Sequence, residues 1–195
     1  MNMKLLAGTA AHSQFRLDAL RLALSSAMEN PTIEATWVYA LQFEGEGPDA
    51  ETLSKAATLL NAVADEQPLT PGSFYVTPRK GTISPWSSKA TDIFRNCGLK
   101  GIARVERGIR YTLMVDGQAL SPINPAALLP LFDKMTEGLY TQLDDLFDCP
   151  PPRSGRTYDV MTKGIEAIPS RWERGCRYFK VVSPTGEQIE INQDL

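Results

Sequence analysis

Cations and hydroxyls crowd one stretch of the chain, Arg79-Lys80-Gly81-Thr82-Ile83-Ser84-Pro85-Trp86-Ser87-Ser88-Lys89, just ahead of an amphipathic run that Gly98 closes. Free N–H groups and the helix dipole at such an entrance favour a negative charge. One reading makes Arg79, Lys80, Thr82, Ser84, Trp86, Ser87, Ser88 and Lys89 a contact to phosphate or to a charged surface of another domain. The competing reading has Ser87 or Ser88 simply capping the helix and Trp86 packing into a core or partner surface. The stretch is not a P-loop, because no second Gly-Lys-Ser/Thr follows Gly81. Trp86 follows a proline in a polar loop and is a candidate exposed anchor, since aromatics often carry interfaces.

Arg104, Glu106, Arg107 and Arg110 form a second charged group around a strand end or turn. Arg104 and Glu106 share a strand face, so they either meet a partner together or form a solvated charged face. His12 is the sole histidine and cannot build a His-rich metal site; it reads as structural or exposed. Cys97 falls at an expected helix C-terminus, where the dipole disfavours a thiolate.

Local patterns define the elements around these groups. Lys4–Ala7 reads as a short strand, and Ser13 as the cap of a helix over Gln14–Met28. Ile33–Phe43 alternates as a long strand with one apolar face. Asp49 caps a helix over Ala50–Ala64. Phe74–Thr77 is a strand, Pro78-Arg79-Lys80-Gly81 a turn, and Lys89–Asn96 the central helix. Ile102–Glu106 and Ile109–Val115 are two β-prone runs, followed by a turn at Asp116-Gly117. Asn124-Pro125 opens a helix over Ala126–Leu139. Cys149-Pro150-Pro151-Pro152-Arg153-Ser154-Gly155 is a linker candidate. Beyond it lie a short helix at Tyr158–Lys163, β-prone runs Ile165–Ile168, Arg177–Val182 and Gln188–Ile191, and a turn at Ser183–Gly186 that predicts a C-terminal β-hairpin. The order predicts an α+β fold, helices packed on one face of a mixed or antiparallel sheet. Residues 1–148 form the main domain, 149–156 a linker and 157–195 a small appendage.

Composition narrows the function classes. A net charge of −3 and a sequence pI near 5.3 give no electrostatic footprint for nucleic acid. No apolar run approaches the roughly 20 residues of a membrane span, and the Met1–Gly8 patch is too short for a signal peptide. Three scattered cysteines suit a reducing compartment. The chain is therefore expected in the cytoplasm, with neither nucleic acid nor membrane as partner.

The segment Val76–Ile93, with Asn96-Cys97-Gly98-Leu99 and Arg104-Val105-Glu106-Arg107-Gly108, resembles the N-terminal domain of the large bacterial-type phosphoribosylformylglycinamidine synthases. These are ATP- and glutamine-dependent ligases of purine biosynthesis. The resemblance implies two fused copies of a small α/β subunit, although no internal sequence repeat is evident. It implies a structural role in assembly, with synthetase and glutaminase domains as partners and a homodimer as a further option. ATP and Mg belong to the full enzyme, and no cofactor is expected in this chain. The family's catalytic histidine linker, ATP-binding segments and glutaminase cysteine motif do not occur among these 195 residues. No catalytic residue is carried over, and the contact candidates are those named above with Arg104 and Arg107. The likeness fades beyond Ala126–Leu139. The tail, with Gly164-Ile165-Glu166, Arg177-Tyr178-Phe179 and Ser183–Ile191, resembles the end of a glyoxalase-type vicinal oxygen chelate module, which would make Glu190 a metal ligand. One carboxylate does not make a metal site. Two alternatives stay open: a metal-dependent glyoxalase- or dioxygenase-like chimera, and a non-enzymatic dimeric scaffold.

Overall fold

A computed structural model describes residues 3–45, 47–64, 69–119, 124–149, 162, 170–173, 176–182 and 188–194, with side chains up to 149 and at 162. Met1–Cys149 and Pro150–Leu195 form two compact units. The first is an α+β layer built on an antiparallel sheet in the order β3-β1-β2-β5-β4-β7, with β6 (Gln118–Ala119) added to β5. Its strands are β1 (Met3–Ala10), β2 (Pro31–Phe43), β3 (Val63–Ala64), β4 (Ser73–Pro78), β5 (Ile102–Val115) and β7 (Glu137–Tyr140). Its α-helices are α1 (Gln14–Leu24), α2 (Ala50–Leu60) and α3 (Pro85–Asn96).

The middle of the sheet is the long antiparallel pair β2–β5, running from Pro31 opposite Val115 to Phe43 opposite Ile102. It explains why β5 is one strand where the sequence suggests two. Gly108 interrupts the apolar pattern but not the pairing, since it sits opposite Val38. A Cβ there would lie 2.5 Å from the Thr77 methyl and 2.8 Å from the Val76 carbonyl. Glycine is what lets β5 pass this close to β4.

The two halves of the unit repeat one plan. Strand, helix, strand, helix and strand, β1-α1-β2-α2-β3, recur as β4-α3-β5, the 3-10 helix Pro125–Leu131, and β7. Leu6 pairs with Tyr39 in the first half, and Val76 pairs with Ile109 in the second, both numbers 70 higher. Met3–Gln42 and Ser73–Thr112 obey the same shift. It also turns Val38 into its own partner Gly108, so a pseudo-twofold axis passes through that pair. The buried helix positions follow suit: Leu20 and Leu24 correspond to Ala90 and Phe94, all buried. The duplicated arrangement is thus written in pairing and burial, not in residue identity.

Helices cover one face of the sheet. α1 and the 3-10 helix close a core of Leu24, Ile33, Phe74, Tyr111, Leu113 and Leu128. α2 and α3 close a second core with Leu6, Leu41, Ala56, Phe94 and Val105. Each fully buried Leu or Phe side chain contributes about 1.5–3 kcal/mol relative to exposure. On the opposite face Leu143, Leu146 and Phe147 fold back over Val38, Ala40 and Tyr75.

Four local expectations are corrected. α3 begins at Pro85 rather than Lys89, because Ser84 caps it and proline sits comfortably in the first turn. α1 stops at Leu24, short of Met28. α2 stops at Leu60 rather than Ala64, since Asn61 turns left-handed at φ 49° and Val63–Ala64 pair with β1. The helix expected over Ala126–Leu139 is a 3-10 helix ending at Leu131, with Pro130 inside it. Proline denies that segment an N–H. Asp133 then organises a turn by accepting from the Met135 N–H at 2.8 Å and the Thr136 hydroxyl at 3.0 Å, and the chain leaves as β7.

In the second unit, β8 (Ser170–Glu173), β9 (Cys176–Val182) and β10 (Gln188–Asp194) form an antiparallel sheet in the order β10-β9-β8. β9 and β10 are the hairpin strands expected from the sequence; β8 is additional. The turn at 183–186, the run at 165–168, and all of the linker and short-helix segments except Cys149 and Thr162 lie outside the described residues.

Candidate functional site

The α3 entrance is locked to β5 by a buried polar network. Ser84, not Ser87 or Ser88, caps the helix: its Oγ accepts from the Ser87 N–H at 2.9 Å. The same hydroxyl donates to Glu106 Oε1 at 2.7 Å. Glu106 also accepts from the Ser84 N–H at 3.3 Å, the Arg107 N–H at 2.9 Å and Arg104 Nη2 at 2.9 Å. Ser87 donates to the Val105 carbonyl at 2.6 Å and accepts from Arg104 Nε at 3.1 Å. Arg104 donates to the Thr82 carbonyl as well and lies 5.0 Å from the Phe147 ring centre.

This overturns the solvated-face reading of the second charged group. Glu106 is 1% exposed and the Arg104 side chain 14%. A carboxylate withdrawn so far from water is tolerable only when paired and fully hydrogen-bonded. Four donors converge on its two oxygens, which meets that condition.

Arg107 follows a different course. It stands opposite Tyr39 in the β2–β5 ladder and diagonal to Trp37, within reach of both on the same face. Its guanidinium lies 4.3 Å from the Trp37 ring centre and 5.0 Å from that of Trp86. Trp86 is half-buried rather than exposed, and packs 5.8 Å from the Tyr39 ring. Burial pushes the Tyr39 hydroxyl pKa up, and the Arg107 charge only partly opposes it.

A cavity of about 610 Å³ opens between the α3 entrance, β5 and the turn before β7. Arg79, Thr82, Ser84, Trp86 and Arg107 line it, so the fold gathers five of the ten sequence candidates. The other five lie off it. Ser87 is buried in the network, Arg104 belongs to the ion pair, and Ser88 and Lys89 are exposed on α3. Lys80 pairs with Asp145, lies 4.6 Å from the Tyr140 ring centre, and holds the Asp145 carboxyl below its ordinary pKa. Arg79 lines the cavity while donating to the Lys134 carbonyl at 2.6 Å. Trp37, Ile83, Met135 and Glu137 also line it, and sequence reasoning did not select them. The alternation of β2 marks Trp37 as apolar, but only the ladder register puts it beside Arg107.

His12 shares a 2.8 Å hydrogen bond with the Tyr111 hydroxyl. Burial, then the nearby Arg16 charge, lowers the His12 pKa. Burial, then the Glu137 charge, raises that of Tyr111 to about 12. Among the described residues no group of three or more His, Cys, Asp or Glu side chains could hold a metal ion, and no helix is long and apolar enough to cross a membrane. Glu190 lies on β10 opposite Lys180.

A family model described as formylglycinamide ribonucleotide amidotransferase N-terminal matches residues 36–148.

Proposed function

The chain belongs to the formylglycinamide ribonucleotide amidotransferase N-terminal family, the leading part of a purine-biosynthesis enzyme, and on that premise we propose that its first unit is a mounting domain without chemistry of its own. It docks on the synthetase and glutaminase domains of the enzyme in the cytoplasm and supports their active-site surroundings. ATP, magnesium and glutamine are handled by those domains.

One observation carries this reading: the Ser84 and Ser87 hydroxyls, the Glu106 carboxylate and the His12 imidazole are already engaged. Ser84 and Ser87 act as cap and clamp, and Glu106 is saturated by four donors. A general base needs a free lone pair within reach of the proton it takes, and a nucleophile needs an adjacent base. His12, the sole histidine, is bonded to a tyrosine hydroxyl. What remains at the cavity rim is contact surface: Ile83 and Met135 are 65% and 74% exposed.

The test is complementation. This chain is added to a synthase lacking its N-terminal domain, and glutamine-dependent amidation is followed. A saturable rise in activity is expected, with no turnover by the chain alone. Hydrolysis of ATP or glutamine by the purified chain would overturn the proposal.

A further inference from the structure

Resting on the docking reading, we infer that the Arg107 cavity is the socket for a carboxylate side chain, carried on an apolar segment of the synthase's remaining domains. Arg107 is the feature that demands this occupant. Among the described residues no carboxylate forms an ion pair with it, in contrast to Arg104, whose partner Glu106 lies 2.9 Å away. Glu106 lines the same cavity, but both its oxygens are held by other donors. Glu137 lines it too and accepts the Asp133 N–H at 2.9 Å.

Trp37 and Trp86 hold the guanidinium in place. A cation over an aromatic ring is attracted by the ring quadrupole, which fixes the planar fork before a partner arrives. Pre-ordering cuts the entropy lost on binding, and the fork matches a carboxylate in two-pronged fashion. Apolar side chains, Pro78, Ile83, Pro85, Trp86 and Met135, share the wall with polar ones, Arg79 and Glu137 among them. A guanidinium without an ion-paired acid among the described residues, set beside apolar wall residues, is complementary to one acid flanked by hydrophobic residues. The other cation on the wall, Arg79, already donates to the Lys134 carbonyl at 2.6 Å, so a single acid fits better than a polyanion, which would need several cations.

The test measures affinity between this chain and the separately expressed remainder of the synthase. Wild type, Arg107→Gln, Arg107→Lys and Met135→Glu are compared, with far-UV circular dichroism as the folding check. Arg107→Gln should raise Kd about 10- to 100-fold, as loss of a charged hydrogen bond does, and flatten the salt dependence. Arg107→Lys should fall between. Met135→Glu alters an exposed rim position and leaves the fold intact, so it keeps the test valid if an Arg107 variant unfolds. Its new acid should compete for Arg107 and weaken binding. Wild-type Kd values left unchanged by Arg107→Gln or by Met135→Glu would overturn the socket and leave the docking reading standing. Absence of any wild-type binding would overturn both. Stabilisation of wild type, but not of Arg107→Gln, by inorganic phosphate, with affinity for the remainder unaltered, would replace the socket with a small-anion site.

Discussion

The two halves of the first unit share a plan but anchor their helices differently. In the first, α1 is fixed to the sheet by Leu20 and Leu24, and its cap Ser13 makes a long 3.4 Å contact at an exposed site. In the second, α3 is fixed by Ala90 and Phe94, and also by the network of Ser84, Ser87, Arg104 and Glu106. Under the 70-residue shift seen in the strand register, Glu106 corresponds to Thr36 and Arg107 to Trp37. The two copies share a shape, but the buried Arg104–Glu106 pair belongs to the second. Replacing buried ion pairs with hydrophobic residues is often neutral or stabilising, so stability alone does not require the network. Two of its members, Ser84 and Glu106, line the cavity.

The largest expected effect tests that asymmetry directly. Glu106→Gln leaves Arg104 buried without its counter-charge and should cost about 3–5 kcal/mol in a denaturant melt. Thr36→Val, at the matching position, should stay within about 1 kcal/mol. Equal losses would mean the halves are anchored alike. A smaller contrast separates the caps. Ser84→Ala should cost about 1–2 kcal/mol, and Ser13→Ala about 0.5 kcal/mol, the low end for an N-cap.

The smallest effect concerns the bond joining the halves, His12 to Tyr111. The folded pKa of His12 lies below its unfolded value of 6.5, so the folded state binds fewer protons there. Its contribution is present above pH 6.5 and declines as pH falls through the depressed folded value. Tyr111 has the opposite sign, raised from 10.0 to about 12. Its contribution is intact below pH 10 and declines between pH 10 and about 12. His12→Gln should flatten the acid limb of a stability–pH profile and leave the alkaline limb.

Much of the fold was legible because short-range rules govern it. Ser13 and Asp49 cap helices at the expected places, and Gly98 takes the left-handed conformation after α3. β2 shows the alternation that its sequence predicts over its first half. The failures had local causes as well. Pro130 shortened a helix, while Ser84-Pro85 began one earlier than the serines after Trp86 suggested. The duplication escaped a residue-by-residue reading because equivalent positions conserve burial and not chemistry, as Leu24 and Phe94 do.

The amino-acid order by itself determined where most of the helices and strands form, which of their faces are apolar, and that serine, proline, arginine and tryptophan meet near one helix start. Periodicity and capping act over a few residues, so they can be read from a line of text. Only the tertiary structure decided that Glu106 is buried and saturated while Arg107, next to it, lies against Trp37 and Trp86 and has no ion-paired acid among the described residues. Neighbouring residues on a strand point to opposite faces, and what each face meets is set by the pairing of β5 with β2, a distant part of the chain.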